Sequence, residues 1–191
     1  MAARALFLVA LVPYGLWLIF AYRYHFLDGA NLLFHEAGHV FFGLFGRTLG
    51  FLGGTLGQLV FPIAAGVHFL RGGLRFEAAV CTVWLCESLM YVALYMGDAN
   101  RLELPLVNDG IHDWRWLLGS WGLLPQAESL AAAVHGLASL GLLAAWGWAA
   151  HSLVAARAAA EEGRGRSTGG VAEASSPGVR VGAEAPPRSG L

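Results

Sequence analysis

The sequence predicts an all-α polytopic membrane protein with about four transmembrane helices and a Gly-rich re-entrant or hairpin segment among them. Three observations carry this. Of 191 residues, 57% are hydrophobic and only 13% charged, and the mean hydropathy is +0.56, outside the range of an ordinary soluble domain. The apolar residues gather into runs long enough to cross a bilayer. Polar breaks containing Gly, Asp and Arg separate these runs. Five spans form the alternative.

Residues 5–22 are an apolar run flanked by Arg4 and by Tyr22-Arg23-Tyr24-His25, and read as a membrane anchor. A cleavable signal peptide is the competitor, but the run is long and ends without a small-x-small site. Leu27-Asp28-Gly29 reads as a turn and Asn31 as the N-cap of a helix running to about Phe45. The stretch from Gly50 to Pro62 carries enough Gly to suggest a re-entrant or extended element, tolerated at membrane depth only where protein or water covers its backbone. Residues 76–96 form a span with Glu87 in its interior, either a functional carboxylate or a neutral, hydrogen-bonded one.

Residues 97–126 are the longest polar connection, and Trp114, Trp116 and Trp121 suit an interfacial segment. A final apolar helix spans about 127–156. Its His135 reads as a helix-packing residue rather than a site residue. Residues 1–158 thus form one membrane-embedded unit. Residues 159–191, without hydrophobic periodicity, read as a disordered tail.

Net charge is −1, which gives no basis for nucleic-acid binding; the expected partners are the lipid bilayer and a membrane-protein or peptide substrate. All 12 basic residues are Arg, which points to a GC-rich, bacterial genome. The two cysteines, Cys81 and Cys86, point in different directions on a helix and read as small buried hydrophobes.

The chemistry-bearing stretch is His35-Glu36-Ala37-Gly38-His39. HExxH on a helix puts two imidazoles on one face, one turn apart, where both can hold a single Zn2+, and the Glu can act as general base. Ionisable groups are expensive in such apolar surroundings, which argues that these have a task. A catalytic zinc needs a third protein ligand and an open position. Asp98, Asp109, His112, Asp113 and Glu87 are the candidates, with Asp113 first and His112 second. Asp113 also has a bland reading as a helix cap before Trp114-Arg115-Trp116.

The third ligand must share a face of the bilayer with HEAGH, which four spans allow if the Gly-rich segment dips and returns. Arginines support that count: Arg4, Arg47, Arg71, Arg75, Arg157, Arg164 and Arg166 then fall on one side, predicting cytoplasmic termini and an outward-facing site.

On these residues the chain resembles the site-2-protease class of intramembrane zinc metalloproteases. The likeness rests on His35, Glu36 and His39, on the Gly-rich Gly53-Gly54-Thr55-Leu56-Gly57-Gln58 element, and on an aspartate presented after a later span. The resemblance implies that His35 and His39 bind zinc, that a later aspartate completes the site, and that Glu36 activates water to cleave a peptide bond within the membrane. The class's Leu-Asp-Gly occurs here only upstream of HExxH, as Leu27-Asp28-Gly29, in the wrong order. His112-Asp113-Trp114 instead is similar to the late His-Asp-Trp of small bacterial HExxH membrane proteins. The Gly-rich segment would offer an edge to an extended substrate. Two rivals remain: hydrolysis of a lipid-linked or small amide, and a non-catalytic metal-binding scaffold.

Overall fold

The computed structural model describes residues 1–107 and 110–174, excepting the side chains of 165 and 167–174. Six α-helices and no strands occur among them: α1 (Ala2–Ala21), α2 (Phe26–Phe42), α3 (Arg47–Arg71), α4 (Arg75–Gly97), α5 (Asp113–Ser120) and α6 (Ala127–Ala174). Four helices, α1, α3, α4 and α6, are long and apolar enough to cross a membrane. Met1–Val154 is one compact unit and Ala155–Leu191 a second.

Helix α4 is the axis of the first unit: 61% of its apolar window is buried, against 11% for α1, whose outer face is left to an apolar solvent. Three clusters along α4 set the helix directions. Near its start Phe76 and Ala79 pack with Leu8 of α1 and Ala149 of α6. Midway, Val83, Cys86 and Met90 meet Leu18 and Leu142. Toward its end Val92 and Met96 meet Ala131, Leu117 and Leu118. Helix α1 is therefore parallel to α4, and Arg4 pairs with Glu77 beside their shared start. Helix α6 is antiparallel. So is α3, since Gly66 lies beside Cys81 and Gln58 Nε2 donates to Ser88 O at 3.0 Å.

Helix α2 does not carry the chain across. It starts at the level of Glu87, where Asn31 Nδ2 donates to Glu87 Oε2 at 2.8 Å, and ends beside the start of α3, where His39 meets Gly50. Both α1 and α2 therefore end toward the Gly97 end of α4. The dipping element is the HEAGH helix, and the Gly-rich stretch expected to dip is a continuous 25-residue helix.

The reason is packing. An added Cβ at Gly38 would lie 2.0 Å from Gly53 O, and one at Gly57 would lie 2.4 Å from Phe34 O. The glycines let the α2 and α3 backbones touch, which is how helices associate where burial against lipid gives no hydrophobic gain. Close contact offsets the intrinsic helix penalty of Gly, about 1 kcal/mol each, and in apolar surroundings the backbone must satisfy its hydrogen bonds internally. Because α3 does so, it offers no edge to an extended substrate.

Three further expectations change. Helix α2 starts at Phe26, before Asn31, because Asp28 forms a capping box with His25, so 27–29 is helical rather than a turn. Arg47, at the start of α3, lies at the site end with Arg101 and Arg115, opposite Arg4, Arg71 and Arg75. With Arg23, which follows α1 at the site end, four of these seven arginines lie there and three at the other end, so they do not favour the side of Arg4. Helix α6 runs to Ala174, past the expected boundary at 159; Ala-rich 155–162 has strong helix propensity, and Arg157 Nε donates to Glu161 Oε1 one turn on at 2.9 Å. Of the two histidines of α6, His135 behaves as expected, its Nε2 donating to Ile19 O at 3.0 Å between α6 and α1. Both cysteines are buried and free.

Candidate metal centre

His35 and His39 project from one face of α2 toward the start of α5, where Asp113 Oδ2 lies 3.0 Å from His35 Nε2 and 3.1 Å from His39 Nε2. A ligand atom from each of the three residues falls within 4.8 Å of the others, a spacing that suits one metal ion with bonds of about 2 Å. Residues 78 positions apart in sequence meet because α4 returns the chain to the end where α2 terminates.

The outer nitrogens are tied down. His35 Nδ1 donates to Gln58 Oε1 at 3.1 Å, and His39 Nδ1 donates to Gly50 O at 2.7 Å. Each imidazole thus keeps its hydrogen on Nδ1 and turns the Nε2 lone pair toward Asp113. Two lone pairs aimed at a carboxylate oxygen repel one another unless a cation lies among them, and orientation through Nδ1 is how metal-binding histidines are held. Gln58 is itself fixed, since its amide nitrogen donates to Ser88 O on α4. Gly54 completes the seat: an added Cβ there would lie 2.3 Å from His35 Nε2, so only glycine leaves the ring its place.

Asp113 is positioned by its neighbours. Its backbone N–H donates to the Tyr95 hydroxyl at 3.1 Å, and Tyr95 stacks on His112 at 4.1 Å. Burial pushes the Asp113 carboxyl upward, but the His35 and His39 rings beside it pull harder and hold it below the usual carboxylate range. It presents a full negative charge to the centre.

His112, the rival third ligand, points elsewhere. As N-cap of α5 its Nδ1 accepts from Arg115 N at 3.2 Å, and its Nε2 faces Asp98 Oδ2 at 3.5 Å. Burial holds its pKa below the ordinary imidazole value, with Asp98 opposing, so the ring stays neutral and serves as a cap. Of the two competing third ligands, the aspartate expected first faces His35 and His39, and the histidine expected second caps the helix in place of Asp113. Asp98 is no ligand either. It accepts from Glu103 N at 2.9 Å and Leu104 N at 3.1 Å, and so folds the start of the loop. Glu87 belongs to a separate cluster with His25 and Asp28. Asp109 lies outside the described residues.

A cavity of about 820 Å³ opens beside the centre, lined by Glu36, His35, His39 and Asp113 with Tyr95 and the loop at Leu104–Val107. Glu36 is partly exposed there. The tryptophans divide: Trp114 is buried, Trp116 stacks on Phe51 at 4.4 Å, and Trp121 is exposed. Sequence reasoning missed Gln58 and Tyr95. The signal for Gln58 was a lone amide in an apolar helix, which is costly without a partner. Comparison with protein-family models, curated proteins and solved structures returns no match.

Proposed function

We propose that the chain is a zinc-dependent membrane peptidase whose centre is His35, His39 and Asp113 and whose general base is Glu36. The observation that carries this is the convergence of two Nε2 atoms and one carboxylate oxygen, both Nδ1 atoms being bonded to oxygen, in a cavity that Glu36 also lines. Two imidazoles and a carboxylate are a donor set that zinc enzymes use with one position left open. A bound Zn2+ would supply Lewis acidity and a water of lowered pKa.

The chain's own residues do the rest. Glu36 accepts the proton of the attacking water and passes it to the leaving nitrogen. Asp113 sets the charge of the centre, and Gln58 and Gly50 hold the imidazoles in the tautomer that offers Nε2. A membrane substrate has to present an unwound carbonyl, because helical carbonyls are already hydrogen-bonded. Residues 104–107, which form no regular helix, leave room for such a segment at the cavity's rim. The proposed orientation, in a bacterial cytoplasmic membrane with both termini cytoplasmic and the cavity outward, rests on Arg157, Arg164 and Arg166 following the last span.

The test uses zinc-loaded protein in vesicles with a panel of single-span peptides, and mass spectrometry of the products. Cleavage that Glu36→Gln abolishes while zinc content is retained supports the reading. Hydrolysis of a lipid-linked amide with every peptide left intact would replace it with the lipid-amide alternative. Activity unchanged by Glu36→Gln removes Glu36 from the reaction.

A further inference from the structure

We propose that His25, Asp28 and Glu87 form a second cation site, at the junction of α1, α2 and α4, which takes one divalent transition-metal ion. One nitrogen of His25 and one oxygen from each carboxylate lie within 4.8 Å of one another. The inference does not depend on the function proposed for the first centre.

Charge gives the first argument. Asp28 and Glu87 are both fully buried, and His25 is the one basic side chain that contacts them among the described residues. Two buried carboxylates facing a single imidazole are costly to ionise together, and a single divalent ion neutralises the pair.

Orientation gives the second. Asn31 holds Glu87 Oε2 at 2.8 Å and is itself fixed by Trp84 Nε1, which donates to Asn31 Oδ1 at 2.9 Å. Glu87 Oε1 is left buried with no hydrogen-bond partner, 3.7 Å from His25 Nε2. Asp28 is held from outside in the same way, by the Tyr22 hydroxyl on Oδ1 and by His25 N on Oδ2 at 2.9 Å. On His25, Nδ1 faces two oxygens, Arg23 O at 3.1 Å and Asp28 Oδ2 at 2.8 Å, so it carries the ring hydrogen. Nε2 then accepts from the Tyr14 hydroxyl at 2.6 Å, with Glu87 Oε1 at 3.7 Å, so a cation takes this nitrogen by displacing the Tyr14 hydrogen bond. As at the first centre, outer partners orient the carboxylates, and they leave Glu87 Oε1 as the unpaired acceptor facing the cluster. One imidazole and two carboxylates favour an ion such as Zn2+ or Mn2+ over a thiolate-seeking one.

The test is the metal content of purified full-length protein, stripped with chelator, reloaded with Zn2+ or with Mn2+ alone, and counted by mass spectrometry. Wild type is expected to hold two ions per chain, and Glu87→Gln and Asp28→Asn one each. The double variant His35→Asn/His39→Asn, which disables only the first centre, is expected to keep one. A wild type with one ion that the double variant loses overturns the proposal, as do two ions undiminished by Glu87→Gln and Asp28→Asn; the cluster is then a proton-holding network. Should neither carboxylate variant fold, the double variant decides alone: one ion retained supports the site and none overturns it. One ion retained there also supports it even if the first centre proves empty.

Discussion

His35 and Gln58 are joined by a hydrogen bond from Nδ1 to Oε1, 3.1 Å long, that ties the HEAGH helix to the glycine-rich helix at the level of the metal seat. Replacing Gln58 with Leu removes the acceptor and frees the ring to put its hydrogen on either nitrogen. Losses of about 10- to 100-fold in metal affinity are usual when such a partner goes. Calorimetric Zn2+ titration is expected to show a loss in that range for Gln58→Leu and a much smaller one for Gln58→Glu, which keeps an acceptor. Wild-type affinity in Gln58→Leu contradicts the role.

The glycines of this helix pair separate stability from binding. An added methyl at Gly38 meets the Gly53 carbonyl, which is backbone and cannot swing away. Gly38→Ala is expected to destabilise by about 3 kcal/mol, the upper range for overpacking, read as thermal unfolding in detergent. Gly54→Ala meets the His35 ring instead, and should lower zinc affinity at least about tenfold with a smaller stability change. Gly43→Ala, with open space around it, is the control and should unfold as wild type.

Much of this was legible in the sequence. His35, Glu36 and His39 announce themselves by spacing, and Asp113 by its place in a polar connection after a later span. The all-α membrane fold followed from composition. What was hidden depended on contacts between distant residues. Glycine content reads as a helix breaker until Gly38 is seen against Gly53, which no single-segment property reveals. The same holds for the choice between His112 and Asp113, since either residue can cap a helix and either can bind metal. What decides between them is the contact of Asp113 with both His35 and His39, while His112 turns to Arg115 N and Asp98.

Asp98 holds two backbone N–H groups and faces His112, so it organises the loop that delivers Asp113. Asp98→Ala leaves those donors unpaired, at a cost of about 1–3 kcal/mol. The expected outcome is faster limited proteolysis within 100–112 and weaker zinc binding. Asp98→Asn, which keeps one acceptor oxygen, should fall between the two. Wild-type proteolysis in Asp98→Ala would remove Asp98 from this role.

Acidification has a defined sign. Asp113 has a depressed pKa, so its contribution is present above the ordinary carboxyl value of about 4 and is lost only as pH falls through the lower folded value. Metal release between about pH 7 and pH 5 therefore does not report protonation of Asp113. Zinc affinity measured across that range should fall with decreasing pH, and Asp113→Asn should weaken it by a similar factor throughout. A mutant effect that disappears over this interval would show that Asp113 itself titrates there.

The most direct measurement is anomalous diffraction at the zinc edge from crystals of the zinc-loaded protein. The account predicts a peak bonded to His35 Nε2, His39 Nε2 and Asp113 Oδ2 at about 2.0–2.2 Å, with Glu36 facing the open position. An empty seat, with the His35 and His39 nitrogens hydrogen-bonded directly to Asp113, would contradict it.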